Sequence, residues 1–465
     1  MAVWKDLAKW IFTIIVPVAV YNAPFDMAVL HPKAPLFFAI TVWAVLAWIV
    51  ETLPSTVVAC VLTLLYALFV TSPATAFGPW TTFMPWFVLA GLIIADVMER
   101  TGLGKRIALH GMLFMGGSLN KTVIGLGGAG LLLALLVPAG QARDVMFIAV
   151  AQGLCSALNL DPKSRMSSAI IMAGFFAAIA PNLFCMPAGE TTLQVISVVS
   201  TTLGVEESWF NFFKLMAPFS ILYVFGSMML VLMIRGKERF ADEANLRGIL
   251  AERLAEMGPI SRDEIKVLGI LILGMVCFLT ESWHGFSGAF SFALVGMFCF
   301  LPGIGLADQQ TLRRINVSFL IFLAGCMSIG FVATDMKVPA WASGLIMPLL
   351  EDSGTTSTIT LSYVFGVLIN FLMTPMAAVS SMGNSLGNIA MELGLNPYAV
   401  IYPFLYGLDQ YIFPYEIGYL LYAFMTGAVT LKHIVPALLL RMVLMGLLIP
   451  FVLLPYWRLI GFVTE

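Results

Sequence analysis

The sequence predicts an all-α polytopic membrane protein, on three observations. The 465 residues are 60% hydrophobic and only 11% charged, more apolar surface than a soluble core can bury. The chain offers roughly a dozen apolar stretches near the ~20 residues that cross a hydrocarbon core as helix. Proline- and glycine-bearing interruptions also recur at matching places in the two halves, as in internal repeats. A net charge of −2 gives no case for nucleic acid. The six cysteines lie in apolar runs without a CxxC pair, which reads as buried thiols rather than disulfides or a metal site.

Taken in order, apolar spans fall near 8–22, 35–52, 55–72 and 80–98, followed by a broken region at 122–200 and a long span at 211–234. The first run follows Lys5 and Lys9 without a cleavage pattern and reads as a retained span. Composition then changes to GKERFADEANLRGILAERLAEMGPISRDEIK, where Leu246, Ile249, Leu250, Arg253 and Leu254 carry helical spacing: an amphipathic surface connector. Spans resume near 266–280, 286–302 and 314–334, a second broken region covers 358–428, and a last span covers 434–461. This divides the chain into an N-terminal span (1–34), a first repeat (35–235), the connector (236–265) and a second repeat (266–465).

The repeats announce themselves by parallel punctuation: LNLDP at 158–162 is echoed by LGLNP at 393–397, and MPAGETTL at 186–193 by FPYEIGYL at 413–420. About five crossings per half invert the second relative to the first, an arrangement secondary transporters use. Loop charge agrees. With the N-terminus inside, the inner segments carry Arg100, Lys105, Arg106, Lys121, Lys163, Arg165, the connector, Arg313, Arg314 and Lys432; the outer ones hold mainly Lys33 and Lys337 beside acidic residues.

Non-helical backbone at membrane depth is tolerated only where it is buried in protein or lines a wet cavity. Each half has two such places: hairpin tips at 137–143 and 372–378, and helix breaks at 185–192 and 412–418. Pro138, Pro187, Pro375 and Pro414 each lack a backbone donor, while Gly140, Gly189 and Gly418 relax the chain. The exposed helix ends suit small ions; the alternative is four ordinary proline kinks.

The stretches WIVETLPSTVVACVL (48–62), WFVLAGLIIADVMERTGLGKRIAL (86–109), FNFFKLMAPFSILYVF (210–225) and the closing 426–462 resemble the divalent anion:sodium symporter family over nearly the whole chain. The resemblance implies an inverted-repeat, elevator-type transporter with about 11 transmembrane helices and two re-entrant hairpins. It also implies a homodimer in a bacterial inner membrane, with the N-terminus and connector cytoplasmic, and no enzymatic activity or cofactor. The family's Ser-Asn-Thr triplets at the hairpin tips give, by position, Ala139, Gly140 and Gln141 in the first and Thr374, Pro375 and Met376 in the second as substrate-binding segments. Arg143 follows the first tip, as in some family members; Thr191 and Thr192 stand in an altered Thr-Pro-Pro-Asn loop. Loss of both triplets points away from sodium coupling.

Glu190 and Glu416 occupy the two breaks, with Gly189 beside the first. Carboxylates at bilayer depth are functional candidates by default, and burial suits them to carrying protons. They read as a proton-coupling site or a counter-charge for a cationic group; the alternative is a carboxylate capping a broken helix or paired to an arginine. Arg143 reads as a carboxylate or sulfonate ligand, an ion-pair partner of Asp144, or a tip-stabilising contact. Ser380, Ser381, Asn384 and Asp409 are weaker candidates. GLGGAG (125–130) lacks the strand a dinucleotide site needs, GNSLG (383–387) lacks the setting of a hydrolase elbow, and the four histidines form no zinc motif. The expected function is secondary active transport of a small organic anion of carboxylate or sulfonate type, by proton coupling or exchange. The alternatives are a carrier of a zwitterionic or neutral metabolite, a sodium-coupled dicarboxylate symporter and, more distantly, an ion channel.

Overall fold

The protein's computed structural model describes residues 2–25, 27–50, 52–115, 118–137, 140–236, 246–280, 283, 285–286, 288–315, 317–338, 341, 354–371, 375–412 and 416–463; among these it contains helices and no strand. The expected spans form as α1 (Ala2–Tyr21), α2 (Ala34–Val50), α3 (Ser55–Leu65) and α4 (Phe83–Thr101). One element went unread. The basic stretch after α4 is itself a helix, α5 (Leu103–Met115), started when Gly102 takes φ +83° and turns the chain.

The first broken region resolves into a helical hairpin, α6 (Leu119–Leu136) and α7 (Gly140–Ala157), then a helix interrupted midway, α8 (Arg165–Ile179) and α9 (Glu190–Leu203), and the closing span α10 (Trp209–Arg235). The connector helix is α11 (Leu246–Glu256); α12 (Arg262–Leu279), α13 (Gly288–Met297) and α14 (Val317–Asp335) follow. The second half then repeats the order: hairpin α15 (Thr355–Asn370) and α16 (Pro375–Glu392), interrupted helix α17 (Pro397–Leu408) and α18 (Gly418–Met425), and closing span α19 (Leu431–Leu448). The echoed pentapeptides are the turns between hairpin and interrupted helix. Asn159 (φ +50°) and Gly394 (φ +71°), aligned in that echo, both adopt the left-handed conformation that closes each hairpin. Equal backbone geometry at equal sequence position is what a duplicated unit leaves behind.

Five stretches among the described residues are long and apolar enough to span a membrane: Leu119–Leu136, Arg165–Leu183, Trp209–Arg235, Val317–Asp335 and Leu431–Leu459. Every residue of Arg165–Leu183 after Arg165 is buried within the protein, so α8 is the axis around which the hairpins pack. Close packing there needs small residues: a Cβ on Gly130 of α6 would lie 2.2 Å from the carbonyl oxygen of Ala177 in α8, so the GLGGAG run serves hairpin contact. All six cysteines are free. Cys155, Cys185, Cys299 and Cys326 are buried as expected, but Cys60 is exposed and Cys277 half-buried, on outward faces of α3 and α12.

The segments assigned to the inner side meet one another. Arg100 and Arg314 share Asp96, Arg165 donates to the carbonyl of Ile234 at 2.9 Å, and Arg106 bonds Glu264 at 2.6 Å and the carbonyls of Met257, Gly258 and Pro259. Leu246 and Leu250 of α11 are buried, as their spacing required. Arg106 thus pins the connector; Arg106→Ala should speed tryptic cleavage between 236 and 265 in detergent, and an unchanged rate would remove that role.

Candidate functional site

Four helices begin where the chain is interrupted, α7 at Gly140, α9 at Glu190, α16 at Pro375 and α18 at Gly418, and the segments around the last three starts border one cavity of about 310 Å³. Glu190, Thr191, Pro375, Met376, Glu416 and Ile417 line it, with Asn182 and the rings of Tyr411 and Tyr419. The opposite wall comes from the first turns of α3 and α14: Ser55, Thr56, Ser318, Phe319 and Phe322. The cavity therefore lies between the broken helices and two uninterrupted spans, at the ends of those spans next to the basic loops. Its size suits a small metabolite.

Both break glutamates are buried and held. Glu190 is 4% exposed at the first position of α9 and accepts a hydrogen bond from Tyr419 at 3.2 Å. The first hairpin tip touches it: a Cβ on Gly140 would sit 3.1 Å from Oε2 of Glu190. Glu416 is 2% exposed and accepts from the backbone N–H of Ile412 at 2.7 Å and from Asn370 at 3.4 Å. Each carboxylate partly offsets the positive end of a helix start, which accounts for its position and leaves it facing the cavity.

Arg143 sits behind the cavity wall. It is wholly buried and donates to the carbonyls of Val137 (2.6 Å), Ala178 (3.1 Å) and Ala188 (2.7 Å) and to Oδ1 of Asn182 (2.7 Å). Those acceptors come from the end of α6, the end of α8 and the first break. The guanidinium therefore satisfies carbonyls that helix interruption leaves open, and of the readings open for Arg143 the geometry gives the tip-stabilising contact. Thr192 likewise faces inward, donating to the carbonyl of Asn182 at 3.4 Å. Gly189 is required by close approach: a Cβ there would lie 2.6 Å from the same carbonyl. Gly189→Ala should cost about 1–3 kcal/mol by overpacking, read as a lowered melting temperature in detergent; an unchanged one would show the break has room. Ala139 and Thr374 lie outside the described residues, as does the side chain of Gln141.

Ser380 and Asn384 serve interhelical contact. Gln194 of α9 donates to Ser380 (2.5 Å) and to the carbonyl of Met376 (2.9 Å), and Asn384 donates to Thr334 of α14 at 2.7 Å. Asp409, at the end of α17, belongs to a second polar cluster. It pairs with Arg441 of α19 at 2.5 Å and accepts from Tyr223 of α10 at 2.7 Å, while Arg441 also donates to Tyr223. The Arg441 guanidinium lies over the rings of Phe176 and Tyr223, at 5.1 and 4.9 Å from their centroids.

Sequence reasoning missed Asn182, Tyr411, Tyr419, Phe319 and Phe322. Asn182 carried a usable signal, an amide inside an apolar run; the aromatic residues carried none, being indistinguishable from lipid-facing ones. Among the described residues no group of three or more potential metal ligands occurs.

A family model described as the sodium:sulfate symporter transmembrane region matches residues 4–463. A Cupriavidus necator protein named as a membrane protein is 27% identical over 290 residues, 62% of this chain and 55% of its own length. The chloroplastic dicarboxylate transporter 2.1 of Arabidopsis thaliana is 23% identical over 295 residues, 60% of this chain and 50% of that one. The chain thus spans about half the length of these two relatives. The L-tartrate/succinate antiporter of Escherichia coli K12 is 24% identical over 453 residues, covering 89% of this chain and 90% of its own. The solved Alcanivorax borkumensis YdaH transporter is similar over 96% of this chain and 98% of its own, at 16% identity and a TM-score of 0.48. With a match running almost from end to end, the chain belongs to the sodium:sulfate symporter family, the divalent anion:sodium symporters, and its described residues form helices and no strand.

Proposed function

We propose that the protein is a secondary active carrier of small organic anions, of carboxylate or sulfonate type, working by elevator-like alternating access with proton coupling or exchange. The observation that carries this reading is the cavity walled by broken helices on one side and by the first turns of α3 and α14 on the other. A site with that construction is exposed to one membrane face and reaches the other when the broken-helix body slides along the fixed spans. The bonds from Gln194 to Met376 and Ser380 tie α9 to the second hairpin and favour their moving together. The cavity's position beside the basic loops fits an inward-facing state, with the N-terminus and connector in the cytoplasm of a bacterial cell and two protomers per carrier. The dicarboxylate and tartrate/succinate names of relatives support an organic anion. Glu190 and Glu416, both buried and lining the cavity, supply the proton sites. Counterflow of a labelled carboxylate or sulfonate into preloaded proteoliposomes tests the reading: saturable, trans-stimulated flux enhanced by an imposed pH gradient is expected. Flux linear in concentration would favour a channel, and indifference to pH would remove the proton.

A further inference from the structure

One guanidinium of the broken-helix body stands among two buried acids. Glu190 and Asp144 are 4% and 1% exposed, and Arg143, itself wholly buried, attracts both. The two acids are held differently. Glu190 accepts a hydrogen bond from Tyr419. Oδ1 of Asp144 receives none, and Asp144 forms no ion pair among the described residues, because the Arg143 fork is directed to the carbonyls of Val137, Ala178 and Ala188 and to Asn182. One cation does not hold two carboxylates ionised in a low-dielectric interior, so the three groups together retain a proton. The acid that loses least by being neutral is the one without a hydrogen bond.

Asp144 lies in the second turn of α7, which packs against α4, α5, α6, α8 and α18. Tyr419 and Tyr422 of α18 both interact electrostatically with it, and Tyr422 does so with Glu99 of α4 as well. Glu99 and Lys105 of α5 border a cleft of about 180 Å³, the other wall of which is Val145, Met146, Ala149 and Val150 of α7. Beyond Lys121 and Arg165 in their first turns, α6 and α8 carry no charged residue. Asp144 is therefore coupled through Arg143 to the cavity, and through Tyr422 to a cleft beside the basic loops.

Resting on the reading of the protein as a proton-coupled carrier, we propose that Asp144 is a third proton site, behind the cavity wall and linked to Glu190 through the arginine they share. In this state Asp144 holds the proton and Arg143 offsets Glu190. When Glu190 takes a proton from the cavity, Arg143 becomes free to stabilise the Asp144 carboxylate, which releases its own proton towards the cleft. One proton enters and one leaves, so the group keeps one throughout while its place changes.

Asp144→Asn, close in shape to the protonated acid, tests this in the full-length carrier. In proteoliposomes the variant is expected to keep counterflow of labelled substrate and to lose the enhancement by an imposed pH gradient. The infrared difference between wild type and variant should contain the carbonyl band of a protonated carboxylic acid. Asp144→Ser serves for the same assays if the asparagine variant fails to fold, and a wild-type spectrum without any protonated-acid band overturns the proposal with no variant at all. An enhancement that survives in a folded variant removes Asp144 and leaves the proton-coupled carrier standing. Loss of counterflow at an unchanged melting temperature also overturns the proposal, since it would place Asp144 in substrate transport itself. Wild-type flux indifferent to the gradient removes proton coupling from the carrier, and this site with it.

Discussion

Replacing Arg143 by alanine is expected to abolish saturable transport and to cost about 3–5 kcal/mol of stability, because it orphans acceptors in a region that water does not reach. The side chain joins three interruptions: the end of α6 at Val137, the end of α8 at Ala178, and the first break at Asn182 and Ala188. Each would otherwise leave a carbonyl or amide oxygen buried without a donor. A lysine cannot stand in, since one ammonium does not span four acceptors presented around a planar fork. Arg143→Ala and Arg143→Lys should therefore both show a large fall in melting temperature in detergent. If either keeps the wild-type melting temperature and loses only anion affinity, Arg143 is a substrate ligand and its structural assignment fails.

The second large effect is expected at Arg441. Its guanidinium holds Asp409 and Tyr223 and lies against the rings of Phe176 and Tyr223, tying α19 to α10, α8 and the end of α17. Arg441→Leu leaves the Asp409 carboxylate buried without its cation, a loss of about 3–5 kcal/mol. Removing the partner as well, in Asp409→Asn/Arg441→Leu, should recover a good part of it, because the cost lies in the uncompensated charge more than in the absent pair. Melting temperatures of the two single variants and the double complete the cycle; strictly additive losses would show that the two side chains stabilise the fold separately.

The fold was legible because its determinants are local. Apolar length gave the spans, the charge step after Arg235 gave the connector, and echoed pentapeptides with Asn159 and Gly394 in equivalent turns gave the repeat. The helix α5 was hidden because its composition, LGKRIALHGMLFM, mixes basic and apolar residues without reading as a span. The site was half legible. Broken backbone and intramembrane charge are visible in a sequence, so Glu190, Glu416 and the segments starting at Gly140 and Pro375 could be named. Which side chain faces the cavity depends on helix rotation and on contacts distant in sequence, as in Tyr419 to Glu190 across the repeats or Arg441 to Asp409 within the second, separated by 229 and 32 residues. Arg441 could have been named from its charge inside the closing span alone; its partner could not.

The central claim, that a broken-helix body carries substrate by sliding along fixed spans, is tested most directly where the two bodies touch. Asn384 of α16 donates to Thr334 of α14 at 2.7 Å, and close contact continues one turn away, where a Cβ on Gly330 would lie 2.7 Å from the carbonyl of Ser380. In a background with the six native cysteines replaced by serine, Thr334→Cys/Asn384→Cys can be bridged by mercuric ion and assayed for counterflow in proteoliposomes. Flux should fall to background on bridging and return when a thiol removes the metal. Undiminished flux through a fully bridged carrier would contradict the sliding mechanism.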